Sequence, residues 1–109
     1  MELFKELSKL GYKHYTEHTI EELDNLPLNS EERIMEQALV LRWFREKYNL
    51  FGYPFPNDYQ KYGYRIVEIT SDENKELIYD WGTKDSVEEA ELACLEKLIE
   101  IVESKNETR

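Results

Sequence analysis

The sequence predicts an α+β fold: helices packed on one face of a three-stranded antiparallel sheet, in the order (α)(α)-α-β-β-β-α. Three observations carry this. Residues 30–48 and 86–103 repeat their apolar residues at helical spacing. Between them, residues 51–81 alternate at the two-residue period of a strand and are broken into three runs by Pro, Gly, Asn, Asp and Ser. A polar turn between alternating runs makes a hairpin, and helices flanking such a sheet cover one of its faces. At 109 residues the chain suits one domain. It reads as a single α-β-β-β-α body over residues 29–109, with small helices in residues 1–28 packing on it.

Leu3, Phe4, Leu7 and Leu10 recur at helical spacing, and Gly11 follows where a helix C-cap is expected. So short a helix is marginal alone and must dock on something. Residues 12–18 are polar and aromatic and read as loop. Thr19 with Glu22 is a capping-box signature ahead of Ile20, Leu23 and Leu26, and Pro27 ends that helix. Asn29-Ser30 is an N-cap pair, with Glu31 and Glu32 in the first turn, where the helix dipole favours acid.

The helix that follows, to Tyr48, carries two apolar stripes. Ile34, Ala38, Leu41, Phe44 and Tyr48 are expected to face the sheet. Met35, Leu39 and Trp43 are expected to meet the N-terminal helices. The run Phe51-Tyr53-Phe55 contains Pro54 and Pro56, which cannot donate to a ladder, so it belongs at a sheet edge. Beyond Asn57-Asp58, Tyr62, Tyr64 and Ile66 alternate with Arg65, Val67 and Ile69, a strand by period and β-branched content. Ser71-Asp72-Glu73-Asn74 is turn material, and Leu77, Tyr79 and Trp81 then alternate with Ile78 and Asp80. Asp85 or Ser86 caps the last helix. Its stripe of Val87, Ala90, Cys94, Leu98 and Ile101 is widened by Leu95, Ile99 and Val102 beyond the ~100° of a single face.

The formal net charge is −10, from 24 acids and 14 bases. The acidity is dispersed, with one neutral stretch at residues 31–53, where Arg33, Arg42, Arg45 and Lys47 balance four glutamates. An apolar content of 40% and 13% aromatics exclude a disordered acidic tail, which would lack the apolar area to offset chain entropy. No apolar run approaches the ~20 residues that cross a bilayer. The opening MELFKELSK mixes acid with base and has no apolar core, so it does not read as a secretory signal. One cysteine forms no internal disulfide, and a reducing cytoplasm is the expected compartment. A surface of this sign repels phosphate backbones.

His14-Tyr15-Thr16-Glu17-His18 matches H-x-x-E-H, the spacing of inverted zinc peptidases. That chemistry needs a rigid helix, a third acidic ligand and a cleft, whereas this string follows a glycine cap and precedes a new helix start. It is expected to be exposed loop. Cys94 falls in an apolar stripe and is expected to be a buried, inert thiol. No Gly-rich phosphate loop, G-x-S-x-G or C-x-x-C occurs. The belt Phe51, Tyr53, Phe55, Tyr59, Tyr62, Tyr64 is expected to fill the core of the sheet, with protein binding as its alternative role.

Helix–strand–strand–strand–helix is also the element order of double-stranded-RNA-binding domains, and GTKDSVEEAELACLEKL resembles the start of their second helix. Around Ala90, however, stand Glu88, Glu89 and Glu91 where that family places base, which reverses the dominant binding interaction. A second resemblance covers residues 30–103. The helix containing Trp43-Phe44-Arg45-Glu46-Lys47, the Tyr-rich β segment and the closing helix that opens Ser86-Val87-Glu88-Glu89-Ala90 look like small proteins encoded by prophages and mobile elements of gut bacteria. That group has no established activity, so the resemblance implies a setting and carries over no functional residue.

The expectation is a small cytoplasmic, non-enzymatic protein of a phage or mobile element. It would act by protein–protein contact, with another protein or as a homodimer, through Met35, Leu39, Trp43, Tyr53 and Phe55. No cofactor, metal, small-molecule ligand, nucleic acid or membrane is expected as a partner. The alternative is an acidic nucleic-acid mimic that inhibits a nucleic-acid-binding enzyme through Glu89, Glu96, Glu100 and Glu103 on the last helix. The third reading is a zinc hydrolase using His14, Glu17 and His18.

Overall fold

Two long helices share one face of a three-stranded sheet, and two short helices close the end of that helix layer. The computed structural model describes the backbone of residues 2–107 and the side chains of residues 2–105. The order is α1 (Leu3–Lys9), α2 (Ile20–Asn25), α3 (Glu31–Tyr48), β1 (Leu50–Pro56), β2 (Tyr62–Ile69), β3 (Asn74–Lys84) and α4 (Val87–Glu107). The sheet is an antiparallel meander, β1-β2-β3. This is the predicted α+β architecture.

Local chemistry sets the ends of the elements. Thr19 and Glu22 form the expected capping box on α2. Ser30 Oγ accepts from the Arg33 amide at the start of α3, and Ser86 Oγ accepts from the Glu89 amide at the start of α4. Asn49 closes α3 in the left-handed conformation, φ 58°, and the chain turns directly into β1. The N-cap residue of α1, Glu2, makes no side-chain cap. The Asp24 carboxylate at the end of α2 does that work instead, accepting from the Phe4 amide at 2.7 Å and the Lys5 amide at 3.2 Å.

The sheet is tied to the helices on its inner face. Leu50, Tyr64 and Ile66 point into the core, where they meet Phe44, Cys94, Leu95 and Leu98. At Gly52 the approach is closest. A Cβ there would lie 2.7 Å from Cys94 Sγ and 3.0 Å from Leu98 Cδ1, so α4 rides directly on the β1 backbone. Leu3, Phe4, Leu7, Tyr12 and Leu23 from the N-terminal segment belong to the same buried cluster. Pro54 and Pro56 lie on β1, which pairs with β2 alone, as the edge assignment predicts. Lacking an N–H, they occupy positions whose nitrogens point away from β2, and they blunt that edge.

α3 departs from its predicted orientation. Its buried row is Arg33, Glu36, Gln37, Val40 and Phe44, whereas Ile34 and Ala38, expected against the sheet, are exposed. The reason lies in what covers the first half of the helix. Irregular backbone from residues 12–16 and the C-terminal turn of α2 lie there, and their free amides and carbonyls need polar partners when water is excluded. Glu36 accepts from the Tyr12 hydroxyl, from the Tyr15 amide (3.2 Å to Oε2) and from the Thr16 amide (3.2 Å to Oε1). Arg33 Nη1 donates to the carbonyls of Leu23 (2.9 Å) and Leu26 (3.2 Å), and its Nε donates to Gln37. Burial pushes the Arg33 guanidinium below its ordinary range. Burial, then the bond to Glu36, pushes the Tyr12 phenol far up, so it remains a donor.

Candidate functional site

The long helices pack on the inner face of the sheet, and α3 reaches the outer face only at the β1 edge, where Arg45 lies over the Phe51 ring. Register places Phe51 opposite Val67, Tyr53 opposite Arg65, and Arg65 opposite Tyr79, all on this side. Phe51 (38% exposed), Tyr53 (41%), Tyr79 (54%) and Trp81 (52%) stand open to solvent. Phe55 is half-buried and its ring stacks on Tyr79, with centroids 5.5 Å apart. Arg65 sits among them on the central strand. It donates to the Tyr53 hydroxyl at 3.1 Å and to Glu76 at 2.8 Å. The Tyr53 and Glu76 bonds both hold its guanidinium above the usual range. Among the described strand residues, Arg65 and Glu76 are the only charged ones on this face and they pair with one another, while the Arg45 guanidinium of α3 lies 5.3 Å from the centroid of the Phe51 ring at the β1 edge, so a chain of −10 presents here an aromatic patch without net negative charge.

Two bulges shape this patch. The β2–β3 register shifts between Ile66 and Val67 and again between Tyr62 and Tyr64. At the second shift the β3 backbone crosses close over Gly63. The Asn57 amide pins it from the β1–β2 loop, donating to the carbonyls of Trp81 (3.1 Å) and Gly82 (3.2 Å). The crossing keeps Tyr79 and Trp81 outward while Ile78 and Asp80 turn toward the helices.

The expected surface residues are thereby divided. Tyr53 and Phe55 lie in the patch. Met35 is 60% exposed on α3, on a different side of the molecule, and Leu39 is half-buried. Trp43 is half-buried in edge-to-face contacts with Tyr12, Phe44 and Tyr48 at 5.1–5.5 Å. It serves the core, and the α3 stripe is not one continuous surface. The aromatic belt, expected as core, is split as well: Tyr64 is buried, but Phe51, Tyr53 and Tyr59 are exposed. The close seat of α4 on Gly52 leaves the inner face of β1 room for small and aliphatic groups only, and the rings go to the other side. Tyr79 and Trp81 were not among the expected contact residues. Their signal was their phase, one strand over from Tyr53.

Glu89, Glu100 and Glu103 are exposed on α4 and Glu96 is half-buried, with Lys97 pairing Glu100 at 3.1 Å. The H-x-x-E-H string is a run of bends, not a helical turn. His14 Nδ1 faces the Thr16 carbonyl at 3.1 Å, while His18 bonds Glu32, which raises its imidazole above the ordinary range. The two rings thus serve separate local contacts, and no three His, Cys, Asp or Glu side chains gather as a metal-holding group among the described residues. Cys94 is fully buried and its thiol is pushed up to about 12, first by burial and then by Glu91. It is expected to resist an aromatic disulfide reagent in the native protein and to react within mixing time in denaturant. Fast native labelling would contradict its place between α4 and the β1 backbone.

The class these features define is an α+β meander with one face buried under helices and the other left as an open aromatic surface. Comparison with protein-family models, with curated proteins and with solved structures returned no match. No helix among the described residues is long and apolar enough to cross a membrane.

Proposed function

We propose that this protein is a non-enzymatic interaction module of a phage or mobile element, binding a protein partner through the uncovered face of its sheet. One observation carries the contact: Tyr53, Tyr79 and Trp81 are exposed together around Arg65 on the face opposite the packed helices, with Phe51 beside them at the β1 edge under Arg45. Tyr, Trp and Arg are the residues that dominate binding energy at protein interfaces, and contiguous exposed aromatic area is uncommon on a monomer's surface. The phage or mobile-element setting rests on the resemblance of residues 30–103. The acidic-mimic reading draws on the exposed Glu89, Glu100 and Glu103, and it is weakened by Lys97, which neutralises the middle of that stripe.

Photo-cross-linking in cells separates these readings. A photoreactive residue in place of Tyr79 is expected to capture a protein, and capture is expected to fall at least tenfold when Tyr53→Asp is added. The same probe in place of Glu103 is expected to capture nothing. Silence at Tyr79 overturns the proposal, and capture from Glu103 alone favours the acidic mimic.

A further inference from the structure

We infer that the partner on this face is a second copy of the same chain, the two sheets packing face to face as a homodimer. This rests on the reading that the sheet face is the contact surface; three observations favour self-association and a fourth sets its strength.

The first is charge. A chain of −10 ordinarily repels its own copies. Among the described strand residues of the outer face, however, the only charges are Arg65 and Glu76, already paired, the one helix charge that reaches this face among the described residues is the Arg45 cation over Phe51, and the acids of α4 lie on the opposite side. The molecule is a slab whose smallest extent is 20 Å. With the sheets together, the two helix layers are separated by more than twice the Debye length of about 8 Å at physiological salt. The same charge opposes association through the helix side and leaves the sheet face as the permitted one.

The second is the edge. Pro54 and Pro56 obstruct strand addition along β1, so copies do not extend the sheet there. The third is the content of the face. A patch without net negative charge offers nothing to attract a basic partner specifically, whereas rings from one copy can fill the gaps around Arg65 in the other. The fourth is area. Strands of 7 and 8 residues beside β3, at about 4.8 Å spacing and about 3.3 Å per residue, present a face on the order of 350 Å². A standard stable interface uses about 800 Å² per partner and a permanent dimer more, so the expected dimer is weak, reversible and concentration-dependent.

Sedimentation equilibrium of the purified full chain tests this. The average mass is expected to rise from 13.2 kDa toward twice that value between micromolar and millimolar concentration. Higher salt is expected to leave the association unchanged or to tighten it. Trp81→Glu, at an exposed position that leaves the fold intact by circular dichroism, is expected to raise the dissociation constant at least tenfold. In a Trp43→Phe background the emission of Trp81 is expected to shift to the blue as the dimer forms. A chain that stays monomeric at millimolar concentration overturns the inference, as does a dimer indifferent to both Trp81→Glu and Tyr79→Glu. The interaction reading fails by a different result, the absence of any capture from Tyr79 in cells.

Discussion

Glu36→Ala is expected to lower the unfolding free energy by about 2–4 kcal/mol and to release residues 12–16 from α3. The side chain is fully buried and its two oxygens accept from the Tyr12 hydroxyl and the Tyr15 and Thr16 amides. Truncation removes the acceptor and leaves one buried and two part-buried donors, each of which then needs water or a new partner. Tyr12 is itself part of the core and edge-packed on Trp43, so its displacement also disturbs the ring cluster of α3. Glu36→Gln keeps one acceptor oxygen but turns an amide donor toward those N–H groups, and is expected to fall between wild type and alanine. Urea unfolding measures the loss, and amide hydrogen exchange at Tyr15 and Thr16 locates it. A change in Glu36→Ala below about 0.5 kcal/mol, the range of ordinary surface substitutions, would remove the carboxylate as the anchor of this segment.

Gly63→Ala is expected to cost about 3 kcal/mol or more, because the clash is with backbone and no rotamer relieves it. A Cβ on Gly63 would stand 2.7 Å from the Trp81 carbonyl carbon and 2.8 Å from its oxygen. Accommodation requires β3 to lift away from β2 between Asp80 and Gly82, which pulls the Trp81 and Gly82 carbonyls from the Asn57 amide. The bulge that aims Tyr79 and Trp81 outward is then lost, so the variant is expected to lose both stability and any binding through the sheet face. Thermal unfolding reads the first effect. Exchange protection of the β3 amides reads the lifting of the strand that precedes the second, and full protection in the variant would contradict the crossing described above.

These two positions show which parts of the fold are legible in the chain. The caps were: Thr19 with Glu22, Ser30 and Ser86 act within one helical turn, so their chemistry is local. The strands were as well, since period two and the edge prolines Pro54 and Pro56 are local properties. The buried face of α3 was not. Counting apolar residues selects Ile34 and Ala38 over Arg33, Glu36 and Gln37, and only the arrival of backbone from residues 12–26 makes the polar row the buried one. The candidate site was half legible. Tyr53 and Phe55 were marked by their density of aromatic neighbours, but Tyr79 and Trp81 join them only through a register that contains two shifts.

By itself the sequence determined the order of elements, their caps, the edge position of β1 and a charge that disfavours phosphate. Each of these depends on neighbours within a few residues or on a sum over the whole chain. Tertiary structure alone decided which side of each element is buried. Gly52 admits α4 so closely that the rings of β1 must face away, and the crossing at Gly63 turns those of β3 to the same side. The physical reason is the same in both places: a side chain's burial depends on what packs over it, and here the deciding contacts are between backbones and helices far apart in the chain.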